Sequence, residues 1–361
     1  MITVLYILLA LCILLFMVLV HEFGHYIAGR ILKFKITEFS IGFGKAIFSR
    51  TNKRGEKISL RIIPLGGYCA FEGEDEDNTS PTAFNNQKPW KRIIVLLAGV
   101  AANFICAILF SWILLSTIGY DVMDIKKVDT SISASYSNNF QEGDTILEID
   151  GDEIDFAFGK SYTTAVTELK EEAEKFYKDD KNEGKSFQFD MKLRRDGKKI
   201  NVKATMYEVV STNDDGEQET DYLVGITVDR HVYSFFGGFA RAFEVAFGFA
   251  WVVLKSLWQL ITLQLSIKDI GGPVTTISTI AEYTKINFAN VLILIPLISA
   301  NLAVFNFLPF PALDGSKIVF TTIEWIRRKP INRNVEAIIH FVGLIILFAF
   351  VIIVDILHFV L

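Results

Sequence analysis

The sequence predicts an α-helical polytopic membrane protein with four spanning helices and one α+β domain outside the membrane. Three observations lead there. Of the 361 residues, 51% are hydrophobic and 13% aromatic, and the mean hydropathy of +0.36 is too apolar for an ordinary soluble protein. The apolar residues gather in long blocks at 1–32, 93–119, 289–315 and 337–361, each long enough to cross a bilayer. Between the second and third blocks, residues 120–230 are charged and alternate strand-like and helix-like patterns. A net charge of −5 gives no reason to expect a nucleic-acid partner. Cys12, Cys69 and Cys106 show no CxxC spacing and read as small buried hydrophobes.

Taken in order, residues 2–20 are almost wholly apolar. They lack a basic leading region and a small-x-small cleavage site, and they run straight into His21-Glu22-Phe23-Gly24-His25. A retained span is therefore expected, not a signal peptide. Residues 33–92 are rich in Lys and Arg, which places them in the cytoplasm and the amino terminus outside. Within them, 57–62 alternates with period two after Asn52-Lys53-Arg54-Gly55 and predicts a hairpin. Pro64-Leu65-Gly66-Gly67-Tyr68 should break or bend its second strand. The acidic run at 72–77 reads as a solvated loop. The second span carries Ala98-Gly99-Val100-Ala101-Ala102-Asn103. Small residues there let helices approach closely, and the Asn103 amide needs a partner in lipid. That partner is either a neighbouring helix or a site beside the first span.

The 120–230 segment predicts a turn, strand and turn over 140–151 and a helix over 163–177. A hairpin over 187–194 and 199–205, turning at Arg195-Asp196-Gly197, and one more strand at 222–228 complete it. Residues 231–288 are harder. The 235–265 stretch is apolar and aromatic but carries Arg241, Glu244 and Lys255. The loop 316–336 is basic and belongs inside, so an odd number of crossings separates it from the outer domain. Residues 289–315 supply one, which leaves 235–265 as an amphipathic helix pair at the outer interface. The third span ends in Asn306-Phe307-Leu308-Pro309-Phe310-Pro311-Ala312-Leu313-Asp314-Gly315, where two prolines stop the helix. The last span returns the carboxyl terminus outside, with Asp355 and His358 near that face.

The chemistry lies in His21-Glu22-x-x-His25. On a helix, residues four apart share one face, so both imidazoles can hold one zinc ion. Glu22, beside the first ligand, is placed to take a proton from a water at the metal. Polar groups at the end of a membrane-length helix are costly in lipid and mark a functional site. A zinc protease needs a third ligand. The first and third spans both run outside to inside, so Asp314 reaches the depth of His25 and is the economical choice. A helical substrate must also be opened before its peptide bonds are accessible. An exposed edge of the 46–72 hairpin, including Ile58, Leu60 and Ile62, could capture it as an added strand. Asn306 could clamp substrate or brace Asp314.

These motifs together resemble the site-2 protease family of intramembrane zinc metalloproteases, and most closely its bacterial regulator-of-sigma-E protease branch. The resemblance rests on H-E-F-G-H at 21–25, G-x-x-x-N at 99–103 and N-F-L-P-F-P-A-L-D-G at 306–315. Pro64 to Tyr68, including Gly66 and Gly67, and Gly271-Gly272-Pro273 agree. It implies Zn2+ on His21, His25 and Asp314, catalysis by Glu22, and substrate contacts from Asn103 and Asn306. It implies that 58–72 is a membrane-re-entrant β-hairpin. It also implies that 120–230 is a single PDZ domain, with Gly143, Asp144, Ile146, Ile149 and Gly151 matching the family's G-D-x-I-x-x-I-x-G pattern. The expected partners are the lipid bilayer and single-span membrane proteins such as anti-sigma factors or signal-peptide remnants. The expected location is a bacterial inner membrane, with both termini and the PDZ domain extracytoplasmic. The rival reading is a non-catalytic membrane scaffold whose PDZ domain binds peptides. Ser316-Lys317 follows Leu-Asp-Gly where the family commonly has a second glycine.

Overall fold

The computed structural model describes residues 2–74, 79–120, 122–129, 140–155, 158–212, 218–264 and 271–360. The chain divides into two compact units, Met1–Ser111 with Phe249–Leu361, and Trp112–Gly248.

The first unit is built on apolar helices. Helix α1 runs Ile2–Ile31 and α2 runs Pro89–Thr117, opening on a proline at the position where its missing N–H costs nothing. Helix α6, Val291–Phe307, tolerates Pro296 in its interior because that residue is buried among neighbouring helices. Helix α7, Asp314–Arg327, follows a short loop, and α8 runs Arg333–Val360. A shorter helix, α5, spans Pro273–Ile286. The core joins Ala10, Ile13 and Met17 of α1 to Cys106 of α2, Ile280 of α5 and Ile295 and Ile298 of α6. Most other apolar side chains point outward; only 11% of the most apolar stretch of α8 is buried. Such surfaces are stable in a lipid solvent and not in water. Asp355, inside α8, accepts hydrogen bonds from the backbone N–H groups of Val274 and Thr275 and caps α5.

Among the described residues five helices are long and apolar enough to cross a membrane, one more than the four expected. The additional one is α4, Phe235–Ile261, a single helix where 235–265 was expected to hold two. Its glycines do not break it, because Gly238 serves close packing. A Cβ there would lie 2.4 Å from Ser116 Oγ.

The hairpin is longer than period-two alternation suggests. Strand β1 is Ile36–Thr51 and β2 is Lys57–Phe71, and β2 passes through Pro64 and Gly66, the latter at φ +102°. Both strands fold over. Phe39, Ser40 and Ile41 pair with Ile58, Ser59 and Leu60 on one side and with Cys69, Tyr68 and Gly67 on the other. The segment 58–60 also pairs with 48–50. Ile58 and Leu60 therefore lie inside the sheet, with backbone groups already committed. The outer edges are 46–51 and 67–71, and no other strand among the described residues covers either. The acidic run is not simply solvated: Glu72 and Glu74 form ion pairs with Lys35 and Lys317. Residues 75–77 lie outside the described residues.

The second unit is α+β. Strand β3 is Met123–Val128, β4 Thr145–Ile149, β5 Asp152–Glu153, β6 Phe187–Arg195, β7 Lys198–Thr212, β8 Gln218–Leu223 and β9 Ile226–Arg230. They form one sheet in the order β8-β7-β6-β4-β3-β9, with β5 beside β4. Helix α3, Tyr162–Tyr177, is capped by Ser161 and buries Ala165, Leu169 and Ala173 against the sheet. The single strand expected at 222–228 is two. Gly225, at φ +76°, takes the chain from the edge beside β7 to the edge beside β3. Ile146 and Ile149 sit in the core, and Gly143 and Gly151 hold positive φ in the flanking turns. Asp144 is buried; it accepts from Arg195 through both oxygens, at 2.8 and 2.7 Å, and from the Gln141 N–H. Asp144→Ala should cost the β4–β6 region about 2 kcal/mol, the worth of charge-assisted hydrogen bonds lost from a buried group. Hydrogen exchange on the full-length protein would show it as faster exchange across β4 and β6, with α1 and α6 unchanged.

Candidate metal centre

Helix α1 carries His21 and His25 into contact with the first residue of α7. His21 Nε2 lies 2.9 Å from Asp314 Oδ2, His25 Nε2 lies 3.1 Å from the same oxygen, and the two Nε2 atoms are 3.1 Å apart. Both rings are buried. The His25 Nδ1–H donates to the Val95 carbonyl of α2 at 2.8 Å. That bond sets the tautomer, so His25 Nε2 presents a lone pair to the other two atoms. Three ligand atoms gathered this closely can share one metal ion. Two donors bound tetrahedrally to one zinc ion stand about 3.4 Å apart, close to what is found here. The donor set of two imidazoles and a carboxylate, with room for a further ligand, suits zinc in a catalytic role.

Glycines make the approach possible. A Cβ on Gly99 would lie 2.4 Å from His25 Nε2 and 2.8 Å from His21 Cε1. A Cβ on Gly24 would lie 2.2 Å from the Ala98 carbonyl oxygen, so α1 and α2 touch backbone to backbone. A Cβ on Gly315 would lie 2.2 Å from the Leu308 carbonyl oxygen, which explains the glycine after Asp314.

A cavity of about 580 Å³ opens on the cluster, lined among others by Glu22, Tyr68, Cys69, Asn103 and Asn306. Glu22 is half-buried, and its Oε2 accepts the Cys69 N–H of the open strand edge at 2.9 Å. Asn103 is fully buried, and neither atom of its amide has a partner. The sites expected at His21, Glu22, His25, Asn103, Asn306 and Asp314 thus meet around one cavity. Gly67 joins them: a Cβ there would lie 3.7 Å from Glu22 Cγ. Ile58, Leu60 and Ile62 do not line it. Sequence reading missed the Val95 carbonyl and the Cys69 N–H, which are backbone groups with no side-chain signature. It also left the Glu74–Lys317 pair in the cavity wall unassigned, since the two lie 243 positions apart.

A His-His-Asp cluster at a cavity in an apolar helix assembly, with a carboxylate beside it, is a candidate metal site of a membrane protein. The chain belongs to peptidase family M50, whose model matches residues 9–350. It is 27% identical to a Fusobacterium nucleatum protein over 97% of each chain. It is 28% identical to a Clostridium perfringens protein, again over 97% of each. A Campylobacter jejuni protein is 28% identical over 92% of this chain and 87% of its own. All three relatives are named as candidate zinc metalloproteases.

Gly99→Ala should lower zinc affinity at least about tenfold, the usual cost of disturbing the groups that hold metal ligands in place. Elemental analysis of purified protein after mild chelation would show this as zinc loss, with the fold of the second unit retained.

Proposed function

We propose that this chain is an intramembrane zinc metalloendopeptidase that cleaves the membrane segments of single-span proteins. It is a zinc metalloprotease of family M50 and a multi-pass membrane protein. The convergence of His21, His25 and Asp314 carries the reading to particular residues. Bound there, zinc would polarise the scissile carbonyl and lower the pKa of a water. Glu22, beside the cluster, would take up the proton lost from the attacking water at its carboxylate and return it to the leaving amine. The Cys69 N–H holds the carboxylate toward the cavity.

Substrate capture follows from the sheet. A transmembrane helix hides its carbonyls in its own hydrogen bonds, so a scissile segment must be extended first. The open edge 67–71, ending beside Glu22, suits strand addition, while the buried amide of Asn103 and the side chain of Asn306 are placed to hold the extended backbone. The edge replaces 58–62 as the capturing strand. Phe43, Ile47, Phe48, Ile58, Leu60, Ile62 and Ile63 are exposed on the hairpin, which supports its insertion into lipid.

Four crossings agree with the site. Contact between the end of α1 and the start of α7 supports parallel runs for α1 and α6. An even number of crossings then separates α2 from α6, and α4 lies at the outer interface with the 120–230 PDZ domain outside. The proposed setting is a bacterial inner membrane, and the proposed clients are anti-sigma factors trimmed outside the membrane or remnant signal peptides.

Glu22→Gln should lower cleavage of a model single-span substrate by roughly 10²–10⁴-fold while zinc content stays at the wild-type level. Substrates with and without their outer domains should be compared. Cleavage retained by Glu22→Gln would exclude it as the base, and cleavage by metal-free protein would favour a scaffold that co-purifies with another protease.

A further inference from the structure

Asp314 is delivered by an irregular segment, and the last helix grips that segment two residues ahead of it. Ala312 holds φ +82°, a conformation that side-chain-bearing residues rarely adopt. Its N–H donates to His340 Nδ1 of α8 at 3.0 Å. The His340 ring in turn rests against Phe320 of α7, with ring centroids 5.6 Å apart. One turn further along α8, Gly343 meets Pro311 so closely that a Cβ there would lie 2.3 Å from Pro311 Cβ. Two independent contacts thus hold residues 311 and 312 to α8, and neither involves the metal cluster.

We infer that His340 is a positioning residue that keeps Ala312 in its strained conformation and thereby aims the Asp314 carboxylate at the metal. An accepting nitrogen is required, since the donor is a backbone N–H. The irregular turn is needed because α6 ends at Phe307 and α7 begins at Asp314, so the chain must reverse into a new helix within six residues. Ala312 cannot relax toward negative φ without swinging Asp314, the first residue of α7, away from His21 and His25. The bond to α8 opposes that relaxation. A strained backbone at a functional site persists only where its surroundings over-determine it. Here the surroundings are a span that contributes no ligand.

The inference rests on Asp314 as a metal ligand, and the test separates the two. Full-length protein in detergent is dialysed against a chelator of moderate affinity, and zinc is measured by elemental analysis beside thermal unfolding. His340→Leu removes the acceptor and should retain zinc about tenfold less well. His340→Asn should keep it, because Asn Oδ1 stands on Cγ as His Nδ1 does. The double variant His340→Leu with Ala312→Gly should also keep it, because glycine takes positive φ unaided. A general packing role for His340 would not be relieved by a glycine at 312. Zinc loss in His340→Leu with recovery in both other variants supports the inference, and any other pattern overturns it. Asp314→Ala is the control: if that variant keeps zinc, the ligand reading itself fails.

Discussion

Two imidazole nitrogens and a carboxylate oxygen crowd within 3.1 Å of one another in the helix assembly. Around that constraint much of the first unit makes sense. The cluster brings the carboxyl end of α1 to the amino end of α7. Residues 293 positions apart in the chain therefore share one depth. The glycines at 24, 99 and 315 are the steric conditions for that meeting, since a methyl group at any of them would enter another atom.

The sheet is organised by the same centre. Its strands fold over, and of the two edges left unpaired, 46–51 and 67–71, the second reaches the cavity. Glu22 bridges the two parts, because it follows His21 on α1 and accepts a backbone N–H from the edge. A protease acting on helices has to combine bond cleavage with capture of an extended chain. Glu22 lies between the His-His-Asp cluster and the unpaired strand edge.

The second unit is held by an ordinary α+β core, and its pattern residues are mostly structural. Ile146 and Ile149 fill the interior, and Asp144 is spent on Arg195 and a tight turn. The glycines at 143 and 151 supply positive φ. Residues 143–151 thus build the domain itself.

By itself the sequence determined what short-range periodicity can encode. Long apolar runs mark the apolar helices, and the i, i+4 histidines mark the face of α1 that meets Asp314. The alternation at 57–62 and the turn at 195–197 mark hairpins, and matched depth already paired Asp314 with the histidines. Tertiary structure decided what depends on contacts distant in the chain. The pairing of 58–60 on both sides was illegible, because a strand reads the same whether one or two neighbours flank it. The split at Gly225 was hidden, because a short run of strand formers does not reveal a change of partner. The Val95 carbonyl, the Cys69 N–H and the strained Ala312 were invisible for a simpler reason: every residue has a backbone, and only the fold determines which backbone groups face the site.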